Sequence, residues 1–82
     1  MNKEHLLSKV QSVIQGVFDN QNLIITIETT AKDVEGWDSL NHLTIITTIE
    51  EFFNIRFSTR EVMSFANVGD FVNCIFNKLN TK

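Results

Sequence analysis

The 82-residue sequence has no proline, no tyrosine, three glycines, one tryptophan and a single cysteine. One cysteine excludes an internal disulfide. Cys74 also lacks the companion Cys and His spacings of a zinc site, so it reads as a free thiol on a helix flank. Long apolar runs are missing: none approaches the ~18 to 20 residues needed to cross a bilayer, so no membrane insertion is expected. The opening Met1-Asn2-Lys3-Glu4-His5 leads into an amphipathic pattern, so neither a secretory signal nor an anchor is expected and the default location is the cytoplasm. Clustered bases are absent as well. The seven Lys and Arg residues are scattered among ten acids, which leaves no electrostatic footprint for nucleic acid. There is no internal repeat and no low-complexity tract. Finally, the chain is short: a single domain over residues 1–82 can bury only roughly 60 to 65% of its unfolded surface, which gives one modest core and no deep substrate cleft. These absences disfavour a self-contained enzyme.

Apolar residues make up 43% of the chain, and their periodicity is helical. Leu6, Leu7, Val10, Val13, Ile14, Val17 and Phe18 recur at spacings of three and four, predicting a helix over 4–18 with one buried face. The stretch from Asp19 to Trp37 holds turn-formers and a short apolar run, Leu23-Ile24-Ile25-Thr26-Ile27, which has strand propensity. A lone strand leaves its ladder unsatisfied, so a long ordered loop is expected, pinned to the core by its isoleucines. Thr44-Ile45-Ile46-Thr47-Thr48-Ile49 is a run of β-branched residues, yet it does not alternate. At ~100° per residue Leu43, Ile45, Ile46, Ile49, Phe52 and Phe53 share one broad face, which predicts a second helix from Asp38 to Phe53. Packing should override propensity there, since each buried apolar side chain returns ~1.5 to 3 kcal/mol against a few tenths lost per β-branched residue. Ser58-Thr59-Arg60-Glu61 matches a capping box and predicts a short third helix to about Phe65. Asn67 with Asp70 opens a last helix carrying Phe71, Val72, Ile75, Phe76 and Leu79. The expected fold is all-α: a small four-helix bundle of three longer helices and a short third one, with a long loop between helices one and two.

The chemically informative segment is Gly36-Trp37-Asp38-Ser39-Leu40, where that loop turns into helix two. A Ser in the first helical turn presents its hydroxyl beside free backbone amides and the positive end of the helix dipole, which favours an attached phosphate by ~0.3 to 1 kcal/mol. The commoner role for Asp38 or Ser39 in this position is simply to cap the helix. Asp38, Ser39 and His42 also invite comparison with a hydrolytic triad. A working base must bond the nucleophile and be oriented by the acid. On a helix His42 lies ~60° round from Ser39, toward the apolar side, and Asp38 is not placed to hold its far nitrogen. No Gly-x-Ser-x-Gly elbow is present either. His42 is expected to be a partly buried histidine under the first turn, and His5 a solvated one.

A long helix, a long loop, Asp38-Ser39-Leu40 at the start of a second helix, Glu50-Glu51-Phe52-Phe53-Asn54-Ile55 closing it, and Val68-Gly69-Asp70 opening the last helix together resemble the acyl carrier proteins. The resemblance spans roughly residues 6 to 79. It implies a carrier that is not itself an enzyme. Ser39 would receive 4'-phosphopantetheine from coenzyme A through a separate, magnesium-dependent phosphopantetheinyl transferase, and the carrier itself would hold no metal. Acyl groups would travel as thioesters on that arm between acyl-loading and acyl-transferring enzymes. Asp38 would help to position the serine and the metal in the transferase complex. On a helical wheel Leu40 faces outward among Thr44, Thr47 and Glu51, and the family role implied for an exposed Leu beside the attachment site is partner contact. With Asn41 and Glu50, these residues form the expected partner face of a monomeric carrier.

The sequence also departs from the best-known fatty-acid-synthesis members, whose second helix is densely acidic. Here Asn41, Thr44 and Thr47 stand at positions often acidic or Met in that group, which favours a specialised biosynthetic pathway over the housekeeping carrier. A non-modified helical adaptor is the other alternative. Asp, not a Gly-Gly pair, precedes Ser39, which argues against a peptidyl carrier. The seven Phe residues are expected to fill the interior that in this family can shelter a long acyl chain, which would leave the cargo short or exposed. The charge is unevenly spread. Residues 33–53 hold Asp33, Glu35, Asp38, Glu50 and Glu51 with no base, giving -5, while the remainder has five acids against seven bases, giving +2, in agreement with the net -3. An acidic half around Ser39 suits partners with basic docking surfaces.

Overall fold

The structure is a computed structural model that describes residues 2–80. Four α-helices follow one another: α1 Lys3–Val17, α2 Ser39–Phe53, α3 Thr59–Ser64 and α4 Val68–Asn80, with a single 3-10 turn, Ala31–Asp33, in the long loop. No strand occurs among the described residues. The expected all-α bundle with a short third helix is therefore the observed one. Each start has its local cause. Asn2 Oδ1 accepts from His5 N at 2.9 Å to cap α1, and Asp38 Oδ1 accepts from Asn41 N at 2.8 Å to cap α2. The capping box of α3 closes through Glu61 N to Ser58 Oγ at 3.1 Å and Ser58 N to Glu61 Oε1 at 2.7 Å. At α4 Asp70 N donates to Asn67 Oδ1 at 2.9 Å. Helix α2 stops where Asn54 turns left-handed, φ 56°, a conformation Asn tolerates at low cost.

Helix α1 packs against both α2 and α4. The core is aliphatic: Leu6, Val10 and Ile14 of α1 meet Ile45, Ile46 and Ile49 of α2 and Val68, Val72 and Ile75 of α4, with Ile25, Val34 and Ile55 added from the connections. This corrects the expectation that phenylalanines fill the interior. Phe71 is the one buried Phe among the described residues, Phe52 is 56% exposed and the others are half-buried. The helix-two face is narrower than its wheel suggests, because Leu43 is 55% exposed and only Ile45, Ile46 and Ile49 are buried in that helix. Phe52 sits edge-on to Phe53 at 4.9 Å with the Lys9 ammonium 5.3 Å over its ring, so it packs on the surface between α1 and α2.

The apolar run 23–27 is a loop, as expected, but only Ile25 is buried; Ile24 is 81% exposed and Ile27 more than half so. What holds the segment is hydrogen bonding. From α1, Gln11 Oε1 accepts from Ile25 N at 2.7 Å and Gln15 Nε2 donates to Leu23 O at 2.8 Å. At the other end Val68 N donates to Thr29 O and Gly69 N to Ile27 O, both at 2.8 Å. Glutamine side chains and the first amides of α4 thus supply the partners that a neighbouring strand would otherwise provide.

Candidate functional site

The loop delivers Ser39 to the surface through Gly36, whose φ of 88° is a backbone state that L side chains rarely adopt. Asn41 Nδ2 braces this turn by donating to Gly36 O at 2.9 Å. With Asp38 as cap, Ser39 is the first residue of α2 and is exposed. Its hydroxyl therefore lies beside the leading amides of a 15-residue helix, where a phosphodiester gains from the dipole and from unpaired N–H groups.

Among the described residues the neighbouring histidine does not address Ser39. Trp37 Nε1 donates to His42 Nδ1 at 3.1 Å, and His42 Nε2 faces Val62 O at 3.3 Å. With Nδ1 accepting, Nε2 carries the proton and donates to the carbonyl, so both ring nitrogens are engaged away from the serine. Asp38 is occupied with the Asn41 amide. The triad arrangement is absent, and His42 is the half-buried histidine expected beneath the first turn. Among the described residues no group of three or more His, Cys, Asp or Glu side chains could hold a metal ion.

Beside Ser39 an open groove of about 550 Å³ runs between α2 and α3, lined by Ala31, Trp37, Asp38, Ser39, His42, Leu43, Val62, Met63 and Phe65. Apart from Asp38, Ser39 and His42 the lining is apolar. Leu43 and Met63, 55% and 82% exposed, form its lips. Sequence reasoning missed this groove. The helical wheel puts Leu43 on the buried face, and nothing in the sequence places α3 across from it. The Trp37–His42 pair was readable only as two unrelated side chains five residues apart.

The expected partner face divides into parts. Leu40, 73% exposed, shares a shallow depression with Leu43, Thr44, Thr47 and Thr48. The hydroxyls of Thr44 and Thr48 donate back to Leu40 O at 3.0 Å and Thr44 O at 2.8 Å. They satisfy the helix itself, which makes this face less polar than its composition. Glu50 and Glu51 lie at the far end of α2 with Thr47 and Arg56. Glu50 is half-buried, and its Oε2 accepts from Phe57 N at 2.8 Å, fixing the α2–α3 connection; Glu51 is exposed. Asn41 is half-buried and turned to Gly36, as described above.

Helix α3, the far wall of the groove, is clipped to α4. Glu61 Oε1 lies 3.0 Å from Lys78 Nζ, and Cys74 Sγ donates to Glu61 Oε2 at 3.4 Å. The Ser58 amide, and after it Lys78, hold the Glu61 carboxyl down at about 2. Burial first, and the neighbouring carboxylate second, push the Cys74 thiol up to about 11.

The family model for the phosphopantetheine attachment site matches residues 8–75. Acyl carrier proteins from Cyanidium caldarium, Exiguobacterium sp. and Borrelia garinii are similar along nearly their whole lengths. The first is 31% identical over 80 residues, covering 98% of this chain and 93% of that protein. The second is 33% identical over 79 residues, covering 96% and 100%. The third is 32% identical over 75 residues, covering 92% and 94%. Among solved structures, the holo acyl carrier protein of Geobacter metallireducens superposes with a TM-score of 0.85 at 33% identity, covering 92% of this chain and 86% of that one.

Proposed function

Since the chain belongs to the acyl carrier proteins, the phosphopantetheine-bearing carrier family, we propose that Ser39 is the residue to which its 4'-phosphopantetheine is attached. Members of this family carry acyl groups and do not transform them. The observation that carries the assignment is the exposed Ser39 as first residue of α2, capped by Asp38 and opening on the apolar groove. The leading amides of α2 would favour the phosphodiester, and the terminal thiol of the arm would hold the acyl group as a thioester. Ser39 needs no base from its own chain, because attachment takes place in the active site of a phosphopantetheinyl transferase. Asp38 serves α2 as its cap and would meet the transferase from the same position.

Leu40, Thr44, Thr47 and Glu51 make the face that the transferase and the acyl-handling enzymes contact, with Leu43 added to it. Glu50 and Asn41 contribute by shaping the ends of that face through Phe57 N and Gly36 O. We favour a specialised biosynthetic pathway over housekeeping fatty-acid synthesis. What supports this is an outer face of leucine and threonine on which the Thr44 and Thr48 hydroxyls bond back into the helix, with Glu51 as its exposed acid. The protein would act as a monomeric, single-domain cytoplasmic carrier over residues 1–82. Intact mass tests the core of the reading. Incubation of the apo protein with coenzyme A, magnesium and a broad-specificity transferase adds one phosphopantetheinyl group to the wild type and none to Ser39→Ala. A wild type left unmodified by several such transferases points to the unmodified adaptor instead.

A further inference from the structure

A second, smaller cavity of about 40 Å³ lies behind the groove, lined in part by Ala31, Trp37, His42, Phe65, Val68 and Phe71. Ala31, Trp37, His42 and Phe65 border both spaces and so form the wall between them. Val68 and Phe71, beyond that wall, belong to the buried core. Each large member of the wall is fixed from behind. Trp37 is held by His42 Nδ1 at 3.1 Å and by the Phe18 ring at 5.9 Å. His42 is held in turn by the Val62 carbonyl, and Phe65 stacks on Phe71 at 4.9 Å with the rings within 5° of parallel.

We propose that the hydrogen-bonded chain Trp37–His42–Val62 is a gate that closes the inner end of the groove and limits the length of acyl chain the protein shelters. The proposal rests on the carrier reading with attachment at Ser39. The outer groove is roomy, apolar and begins at Ser39, so the proximal methylenes of a saturated chain can lie along Leu43, Val62 and Met63. The inner cavity, about 40 Å³ against about 550 Å³ for the groove, has less than a tenth of its room, so it adds little space for methylenes. To go further a chain must displace the indole and break the Trp37–His42 hydrogen bond, which separates two half-buried polar groups at a cost in free energy. A longer chain therefore continues outward past Leu43 and Met63, where its added methylenes gain little. Trp37 and His42 act here as positioning residues that set chain-length specificity.

The single tryptophan gives the gate its own reporter. The apo protein is loaded with acetyl-, octanoyl- or hexadecanoyl-phosphopantetheine from the corresponding acyl-coenzyme A by a broad-specificity transferase, and intact mass is read first. Failure to load at that step defeats the carrier reading itself, separately from the gate. For loaded wild type, octanoyl raises the thermal midpoint above acetyl, hexadecanoyl adds less than about 1 °C more, and the indole N–H resonance stays where it is in the acetyl form. In Trp37→Ala, and in the milder Trp37→Phe should the first fold poorly, hexadecanoyl raises the midpoint at least about 5 °C above octanoyl, a scale set by the sensitivity of small domains to buried area. A merely structural role would lower every midpoint without changing this dependence on length. The gate is overturned if hexadecanoyl stabilises the wild type well beyond octanoyl. It is equally overturned if the folded variants keep the wild-type length profile.

Discussion

Asp38 Oδ1 accepts a hydrogen bond from the backbone amide of Asn41 at 2.8 Å, and this bond sets Ser39 as the first residue of α2. The residue that the family motif places before its serine is thus also the residue that starts the helix. Two roles for Asp38 can be separated by substitution. Asp38→Asn keeps a good cap, whereas Asp38→Ala loses one, at a cost of about 1 kcal/mol. In a domain of this size that corresponds to a fall of about 4 to 8 °C in Tm. Asp38→Asn should leave Tm within about 2 °C of wild type while slowing phosphopantetheinylation. Equal loading of wild type and Asp38→Asn would leave Asp38 as a cap alone.

The helical phase of α2 is tested by truncation. Ile46 is 4% exposed, whereas Thr47 is exposed. Ile46→Ala should cost ~2 to 5 kcal/mol as a large-to-small core change. Thr47→Ala should fall within ~0.5 kcal/mol of wild type. A chain of 82 residues has on the order of 5 to 10 kcal/mol of net stability in all, so Ile46→Val is the safer companion, at ~0.5 to 1.5 kcal/mol. Urea titrations read all three, and equal midpoints for Ile46→Ala and Thr47→Ala would put α2 in a different register.

Why these parts of the fold were legible follows from the range of the forces involved. Caps depend on residues two or three apart, so Ser58 with Glu61 and Asn67 with Asp70 could be read directly. The buried stripe Ile45, Ile46, Ile49 follows from helical period alone. Leu43 and Phe52 did not follow, because a wheel gives the direction of a side chain and not whether another element covers it. Leu43 stands more than half exposed at the groove lip, and Phe52, equally exposed, lies edge-on to Phe53 under the Lys9 ammonium. Ile24 and Ile27 failed for a related reason: their loop is tied by Gln11, Gln15 and the start of α4, partners 12 or more residues away for most of these bonds. At the site, Ser39 and Asp38 lie in one local motif, whereas the groove and the Trp37–His42–Val62 chain arise only once α3 is laid against α2.

The clip between α3 and α4 has a pH signature. The folded-state value for Glu61 lies at about 2, below its ordinary 4.5. Its contribution to stability is therefore fully present above pH 4.5 and is lost as the pH falls from there toward 2. Glu61→Gln should be less stable than wild type at pH 6, and the gap between their urea midpoints should close on acidification through that window. A gap that stays constant from pH 6 to pH 2.5 would show that the carboxylate charge contributes nothing to the clip.

Cys74 gives a chemical counterpart. With its thiol pushed up to about 11, the thiolate fraction at pH 8 is on the order of one in a thousand, and the thiolate is the reactive form. Iodoacetamide at pH 8 should label the apo protein slowly, and unfolding in urea should accelerate the reaction at least about tenfold. In the holo protein the pantetheine thiol should be labelled first, with Cys74 spared. Rapid labelling of Cys74 in the folded apo protein would mean that α3 is not held against α4.

The two helical glycines should respond in opposite directions to the same substitution. A Cβ on Gly16 meets nothing within 4 Å, so Gly16→Ala should stabilise α1 by about 0.5 to 1 kcal/mol through helix propensity. A Cβ on Gly69 would lie 2.9 Å from the Ile27 carbonyl oxygen, the same oxygen that accepts from Gly69 N at 2.8 Å. The obstacle is backbone, and moving it breaks the bond that ties the long loop to the first turn of α4. Gly69→Ala should therefore destabilise by about 1 to 3 kcal/mol, despite an equal gain in propensity. Because Thr29 lies on that loop and lines the inner cavity, the same variant should also shift the Trp37 indole N–H resonance, whereas Gly16→Ala should leave it in place. If both variants are stabilised, the loop does not dock on α4 through the Ile27 carbonyl.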